Sequence, residues 1–253
     1  MTPEDRPPPD FGGTIGSLEE LIRALSAAGR FRREHHRPFV VLSYAQSVDG
    51  SIAGRNRERI RLSSPESMRL THGIRSGSAG ILVGIGTVLA DDPRLAAFDG
   101  DGPQPQPVVL DTHLKTPPTA RLVARRDAPP WLIHRDNLPA SQAGPLEAAG
   151  ARPMPCTTGP DGRIDLAALM RLLFEKQVDS LMVEGGARVI TSFLRSRLAD
   201  LLVVTLSPQF IGGLPVLEVP GSEHNLRTRF KEVRYHPAGP DLILWARPDW
   251  GAV

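Results

Sequence analysis

Cysteine is nearly missing from this sequence: Cys156 stands alone among 253 residues, so no intrachain disulfide can form. That excludes a disulfide-built scaffold and permits a reducing compartment. Long apolar runs are missing too. None approaches the roughly 20 residues of a membrane-spanning helix, so no membrane partner is expected. Met1 to Asp10 is acidic and proline-rich where a secretory signal would carry an apolar core, which predicts a cytoplasmic protein. Lysine is scarce: only Lys115, Lys176 and Lys231 occur, and the rest of the 30 basic residues are arginine. Arginine's planar fork suits phosphate, although a codon-composition bias accounts for the preference without any function. The densest basic run, Arg55, Arg57, Arg59 and Arg61, contains no aromatic residue that could stack on bases. No nucleic-acid partner is expected. The seven histidines show no metal-ligand spacing, so no metal is expected either. The Gly-Lys-Ser or Gly-Lys-Thr ending of a phosphate loop does not occur, nor does the three-glycine dinucleotide turn. Any dinucleotide must therefore be held in another way.

What is present is ordinary for a folded domain. An apolar content of 40% and a net charge of +2, over a chain long enough to bury a core, exclude disorder as the main state. Residues 1–37 read as a leader with one short helix, and 38–253 as one domain. Leu18, Leu21, Ile22 and Leu25 recur at helical spacing within Ser17 to Ala28. Phe39 to Tyr44 is a near-continuous apolar run, the mark of a strand buried on both faces. Ser63 to Glu66 reads as a capping box with Pro65 inside it, opening a helix towards Arg75. Further strands are predicted over Ala79 to Gly84, Pro107 to Leu110, Trp131 to His134, Leu181 to Glu184 and Leu201 to Leu206. Helices are predicted over Asp165 to Gln177 and Ala187 to Leu198. A last pair, Phe230 to Tyr235 and Leu242 to Ala246, flanks a Pro-Ala-Gly-Pro turn and reads as an antiparallel hairpin. This alternation predicts an α/β fold with a mostly parallel sheet closed by antiparallel C-terminal strands. The stretch from Asp91 to Pro107, rich in Gly, Pro and Asp, is expected to line a site or to move.

Three strand ends carry small or polar residues that packing does not require: Ala45 to Gly50, Gly84 to Pro93, and Glu184-Gly185-Gly186. Ligands of open α/β sheets bind outside the carboxyl ends of strands. A glycine pair opening a helix exposes free N–H groups to an anion. Glu184 leaves a strand beside two glycines and cannot face the apolar core unpaired. It can accept hydrogen bonds from the amino groups of a heterocycle or handle a proton. Asp49 and Asp91 fit a turn-former and a ligand contact equally well.

Read in order, Leu42 to Gly50, Leu82 to Leu95 and Met182 to Gly186 resemble the riboflavin-biosynthesis reductases. That family comprises the reductase half of the bacterial bifunctional deaminase–reductase and stand-alone fungal and archaeal enzymes. The resemblance covers about Pro38 to Pro248. It implies a dihydrofolate-reductase-like three-layer fold, a homodimer, and NADPH-dependent reduction of the ribose of a ribosylamino-pyrimidine phosphate to a ribityl chain. The zinc pattern of the deaminase half is absent, because Pro155-Cys156 is followed by no second cysteine. By matched position the resemblance places Ala45, Thr87, Asp91 and Thr112 at the NADPH site. It sets Gly186, Ala187, Arg188, Val189, Ile190, Thr191 and Ser192 against the cofactor as well. Glu184, Arg75 and Leu95 fall at substrate contacts, with Glu184 also in the catalytic role. By the same matching, Arg59 and Arg61 align with polar and aromatic contact positions of the bacterial enzymes, so that loop departs from the family pattern. The family's usual arginine after Asp-Asp-Pro is Phe98 here. Arg75, helped by Arg94, is then expected to hold the substrate phosphate, the alternative being that Arg75 caps its helix.

The stand-alone form favours the diamino substrate over its deaminated uracil counterpart. Two other readings stay open: an NADPH-dependent reductase of another heterocycle, such as a pteridine, and a non-catalytic NADP-binding protein. Intact Thr87, Glu184, Gly185 and Gly186 argue against the last.

Overall fold

A computed structural model of the chain describes residues 17–97, 104–218 and 226–251. Phe98 lies outside the described residues, as do residues 1–16 of the expected leader. In chain order the elements are α1 (Leu18–Ser26), α2 (Gly29–His35), β1 (Phe39–Ser47), β2 (Ser51–Ala53), α3 (Pro65–Gly77), β3 (Gly80–Gly84) and α4 (Ile85–Asp91). There follow β4 (Gln106–Leu110), β5 (Trp131–Arg135), α5 (Ala140–Ala149), β6 (Arg152–Cys156), α6 (Leu166–Glu175) and β7 (Ser180–Val183). The last are α7 (Ala187–Arg195), β8 (Leu201–Ser207), β9 (Leu214–Pro215), β10 (Arg229–Ala238) and β11 (Asp241–Asp249).

Nine strands form one sheet in the order β10-β11-β8-β1-β7-β3-β4-β5-β6, and β2 pairs separately with β9. From β8 to β6 every neighbour is parallel, while β11 runs antiparallel to β8 and β10 antiparallel to β11. The expected mostly parallel sheet with antiparallel C-terminal strands is what forms. Alternate residues of each strand feed opposite faces. Val40, Leu42, Leu82, Val108, Leu181 and Val183 bury one face under α6 and α7, with Leu169, Leu173, Ile190 and Phe193. Phe39, Val41 and Met182 bury the other under α1, α2 and α3, through Leu21, Leu25, Phe31 and Ile74. Further along that second face, Ile81, Val83, Val109 and Leu132 pack with Val88 of α4 and Leu146 of α5. The result is three layers. None of its helices is long and apolar enough to cross a membrane among the described residues.

Local chemistry explains the helix starts, with one correction. The N-cap of α3 is Ser64, accepting from Ser67 N at 3.3 Å, with Pro65 at the first helical position. The expected box partner, Glu66, therefore sits one residue too early. A reciprocal box forms instead at α1, where Ser17 and Glu20 exchange hydrogen bonds. The segment expected as a leader does not stand apart, because Leu21, Leu25, Ala28 and Phe31 are buried in one cluster with Phe39 and Met182.

Candidate active site

The carboxyl ends of β3 and β7 lie side by side, paired Leu82 to Val183, and two helices open from them. Glu184 prolongs the β7 edge, its N–H donating to the Leu82 carbonyl at 2.8 Å. Its carboxylate accepts two hydrogen bonds from Arg75, from Nε at 2.6 Å and Nη2 at 2.5 Å. Both side chains are largely buried, at 17% and 18% exposure. This is a bidentate, charge-assisted pair of the strong kind. Burial opposes the charge on Arg75, but the Glu184 carboxylate overrides it and holds the guanidinium above its ordinary range. Glu184 is thus paired by Arg75, another of the residues expected at the substrate. Arg75 does not cap its helix; beyond Glu184 it donates to the Ala96 carbonyl at 3.2 Å.

Asp92 to Ala97, which runs just past the end of the middle motif, is tied by α3 and by the loop between β4 and β5. The carbonyl of Leu95 accepts from Arg125 Nη1 at 2.6 Å, that of Ala96 from Arg75, and that of Ala97 lies against His72 Nδ1. Asp92 accepts from Arg121 N at 2.8 Å. Leu95 adopts φ +52 and buries its side chain beside Ile81 and Val88, so it can offer a ligand only its backbone. Arg94 stands exposed in the same segment. Sequence reasoning missed Arg125 and His72. Arg125 lies 30 residues from the carbonyl it holds, and no short-range pattern marks such a contact.

The positions expected at the cofactor surround the same strand ends. Ala45 is half-buried on β1 beside Thr205 of β8. Thr87 and Asp91 lie on α4, where Asp91 is 3.9 Å from Arg59. Thr112 follows β4, its carbonyl accepting from Arg135 N. Gly186 is the N-cap of α7, with no side-chain cap and with an extended backbone, φ −71 and ψ 175. A β-carbon on Gly186 would meet nothing within 4 Å, whereas one on Gly185 would lie 2.4 Å from Val189 Cβ. Gly185 serves the packing, while Gly186 leaves space at a helix start. Within α7, Ala187, Ile190 and Thr191 face the core, and Thr191 Oγ1 accepts from Glu218 N. Arg188, Val189 and Ser192 are more open, and Arg188 pairs with Glu218 at 3.0 Å.

Asp49 resolves to a staple between two loops. It accepts from Ser47 Oγ and Ser51 Oγ, and from the N–H groups of Ile211 and Gly212. The Ser47 hydroxyl, followed by the Gly212 amide, holds its carboxyl well below the usual carboxylate range. The turn after β1 is thereby fastened to the loop after β8. Cys156 is buried at the end of β6, and burial raises its thiol pKa, as expected of an inert side chain.

The chain is similar to known proteins over most of its length. The family described as the RibD C-terminal domain matches residues 38–244. The 2,5-diamino-6-ribosylamino-4(3H)-pyrimidinone 5′-phosphate reductase of Archaeoglobus fulgidus is 36% identical over 189 residues, covering 70% of this chain and 83% of that one. The enzyme of the same name from Debaryomyces hansenii is 34% identical, covering 84% and 90%. The riboflavin biosynthesis protein RibD of Aquifex aeolicus is 31% identical, covering 91% of this chain but only 64% of that one. Among solved structures, the riboflavin biosynthesis reductase Rib7 of Saccharomyces cerevisiae superposes with TM-score 0.68 at 27% identity, covering 95% of both chains. With the family model matching residues 38–244 and relatives of 34–36% identity covered over most of their length, the chain belongs to the RibD C-terminal domain family.

Proposed function

We propose that this chain is an NADPH-dependent reductase of riboflavin biosynthesis. Its substrate on this reading is 2,5-diamino-6-ribosylamino-4(3H)-pyrimidinone 5′-phosphate, with 5-amino-6-(5-phosphoribosylamino)uracil as the less favoured alternative. The observation that carries the reading is the Arg75–Glu184 pair, set between two strand ends and beside the open N-terminus of α7. A carboxylate held by a fork on both oxygens keeps lone pairs free, and these can receive the amino groups of a diaminopyrimidine. Arg75 fixes the orientation of the carboxylate through both of its oxygens.

The cradle fits a dinucleotide. Space at Gly186 admits a phosphate against the free N–H groups of α7, and Ala45, Thr87, Asp91 and Thr112 would hold the remainder. When bound, NADPH supplies the hydride that converts the ring-opened ribosylimine to the ribityl chain. The protein's own residues position the heterocycle through Glu184 and hold the Leu95–Ala97 segment still beside it. A homodimer working in the cytoplasm is part of the proposal. Supporting the dimer, the edge strand β10 exposes Phe230, Val233 and Tyr235.

The test is NADPH oxidation by the purified protein with each of the two phosphorylated pyrimidines, repeated with NADH. Turnover of the diamino compound with NADPH preferred is the expected result. No turnover of either pyrimidine would sink the reading. Light scattering of the protein in solution checks the dimer.

A further inference from the structure

The clamp on the Leu95–Ala97 segment includes a charge buried in the interior. Residues 111–130 join β4 to β5 with no helix or strand of their own, which is uncommon in a compact domain outside functional or linker segments. Leu122 and Val123 anchor this connection in the apolar cluster that also holds Leu95, Val88 and Ile81. From that anchor it fastens two residues of the neighbouring segment, both with left-handed backbone. Asp92, at φ +41, accepts from Arg121 N, and Leu95, at φ +52, gives its carbonyl to Arg125 Nη1 at 2.6 Å. Aspartate visits that region readily. Leucine does so at a cost and stays there only where its surroundings impose it.

Securing one carbonyl does not by itself require a buried charge. The side chain of Arg125 is 1% exposed, while the carboxylate it pairs with, that of Asp127, is 49% exposed. Nε and Nη2 reach Asp127 at 3.3 and 2.5 Å, which leaves Nη1 for Leu95. For stability alone, an apolar side chain fills a buried place without a charge to desolvate. What lies beyond the carbonyl accounts for the guanidinium. The next carbonyl, that of Ala96, accepts from Arg75 Nη1, and Arg75 gives Nε and Nη2 to the two oxygens of Glu184. Ala96 is thus a third point of attachment for the Arg75 fork, beside the two carboxylate oxygens. From Arg125 to Glu184 the path is two consecutive peptide carbonyls and one guanidinium. We infer that Arg125 is a positioning residue: its grip on the Leu95 carbonyl keeps Ala96 on Arg75 and so sets the orientation of the Glu184 carboxylate. Its effect on turnover rests on the reductase reading, whereas the link from Arg125 to Arg75 does not.

Arg125→Met removes the grip and strands no buried charge, because Asp127 stands half in water. A melting curve verifies the fold. The expected result is a kcat for the diaminopyrimidine phosphate lowered about tenfold or more, as misplacement of a site group produces. The KM for NADPH stays as in the wild type. Arg125→Gln ends two bonds short of the Leu95 carbonyl, carries the same expectations, and serves if the methionine variant does not fold. Arg125→Lys keeps a charged donor and is expected to recover part of the loss. The link itself is read from the Arg75 side-chain Nε–H resonance, identified by its disappearance in Arg75→Lys. That proton should exchange with water faster in the methionine and glutamine variants than in the wild type. Wild-type kinetic constants in a folded variant, whatever its melting temperature, would overturn the assignment. So would lost turnover with the Arg75 resonance unmoved. If the wild type turns over neither pyrimidine, the reductase reading falls and the Arg75 resonance alone decides. Faster exchange then upholds the link, and unchanged exchange removes it.

Discussion

Glu184 and Arg75 hold each other in a largely buried crevice, so removing either charge strands the other. Glu184→Gln keeps the shape and gives up the ion pair. The expected cost is about 1.5–3 kcal/mol of stability, the range for a hydrogen bond to a charged group. Turnover should fall by on the order of a hundredfold or more, as for loss of a group that handles protons or orients the substrate. Denaturant titration and steady-state kinetics measure the two separately, and a variant as active as the wild type would exclude Glu184 from the chemistry. Asp49 makes a pH prediction. Its carboxyl pKa is lowered in the folded state, first by Ser47 and then by the Gly212 amide. A lowered pKa contributes stability above the ordinary carboxylate range and loses it only as pH falls through the folded value. The amides of Ile211 and Gly212 should therefore stay protected from hydrogen exchange through mildly acidic pH. Asp49→Asn should expose both at every pH, and unchanged protection would show that the staple is idle.

At the scale of elements, the two glycines opening α7 divide the work between protein and ligand. Gly186→Val should abolish NADPH binding and leave the melting temperature nearly unchanged, because its β-carbon enters space that the protein leaves open. Gly185→Val should instead damage the fold, since even the first added carbon collides with Val189. Calorimetry and thermal melts on the pair tell these apart, and full NADPH affinity in a folded Gly186 variant would move the cofactor elsewhere. The sequence shows these elements clearly for a physical reason: central parallel strands are buried on both faces, and their apolar runs end abruptly at polar, glycine-rich junctions. β6 was not legible. It carries Pro153 and Pro155 and survives as a strand because it is an edge, where missing N–H donors cost little. α5 was also hidden, with Pro145 inside it and a single buried residue, Leu146, so it shows no apolar stripe. The candidate site divides in the same way. Glu184, Gly185 and Gly186 are contiguous and could be read, whereas the clamp by Arg125 and His72 exists only once the chain has folded.

Across the whole molecule, the helices before β1 decide whether the chain is a domain with a leader or one packed body. Leu21 and Leu25 of α1 are fully buried, in a cluster that includes Val41 of β1, Met182 of β7 and Ile74 of α3. These are the elements that carry the site: Glu184 follows β7 directly, and Arg75 follows Ile74 on α3. α1 shares the cover of this face with Phe31 of α2 and with Leu70 and Ile74 of α3, so detaching it would expose part of the core beneath β7 and α3. Leu25→Ala is expected to cost about 2–5 kcal/mol, the transfer of a leucine side chain plus the cavity it leaves. Unfolding should remain one cooperative transition, monitored together by helical signal and by tryptophan fluorescence. Trp245 lies in the same cluster and Trp131 on β5, near the far edge of the sheet, so coincident midpoints would report both ends of the sheet. A loss well under 1 kcal/mol, or an early phase confined to the helical signal, would instead make α1 a separable leader. On the packing described here the destabilised enzyme keeps its catalytic constants at temperatures where it stays folded, because Leu25 packs in that core and not in the site.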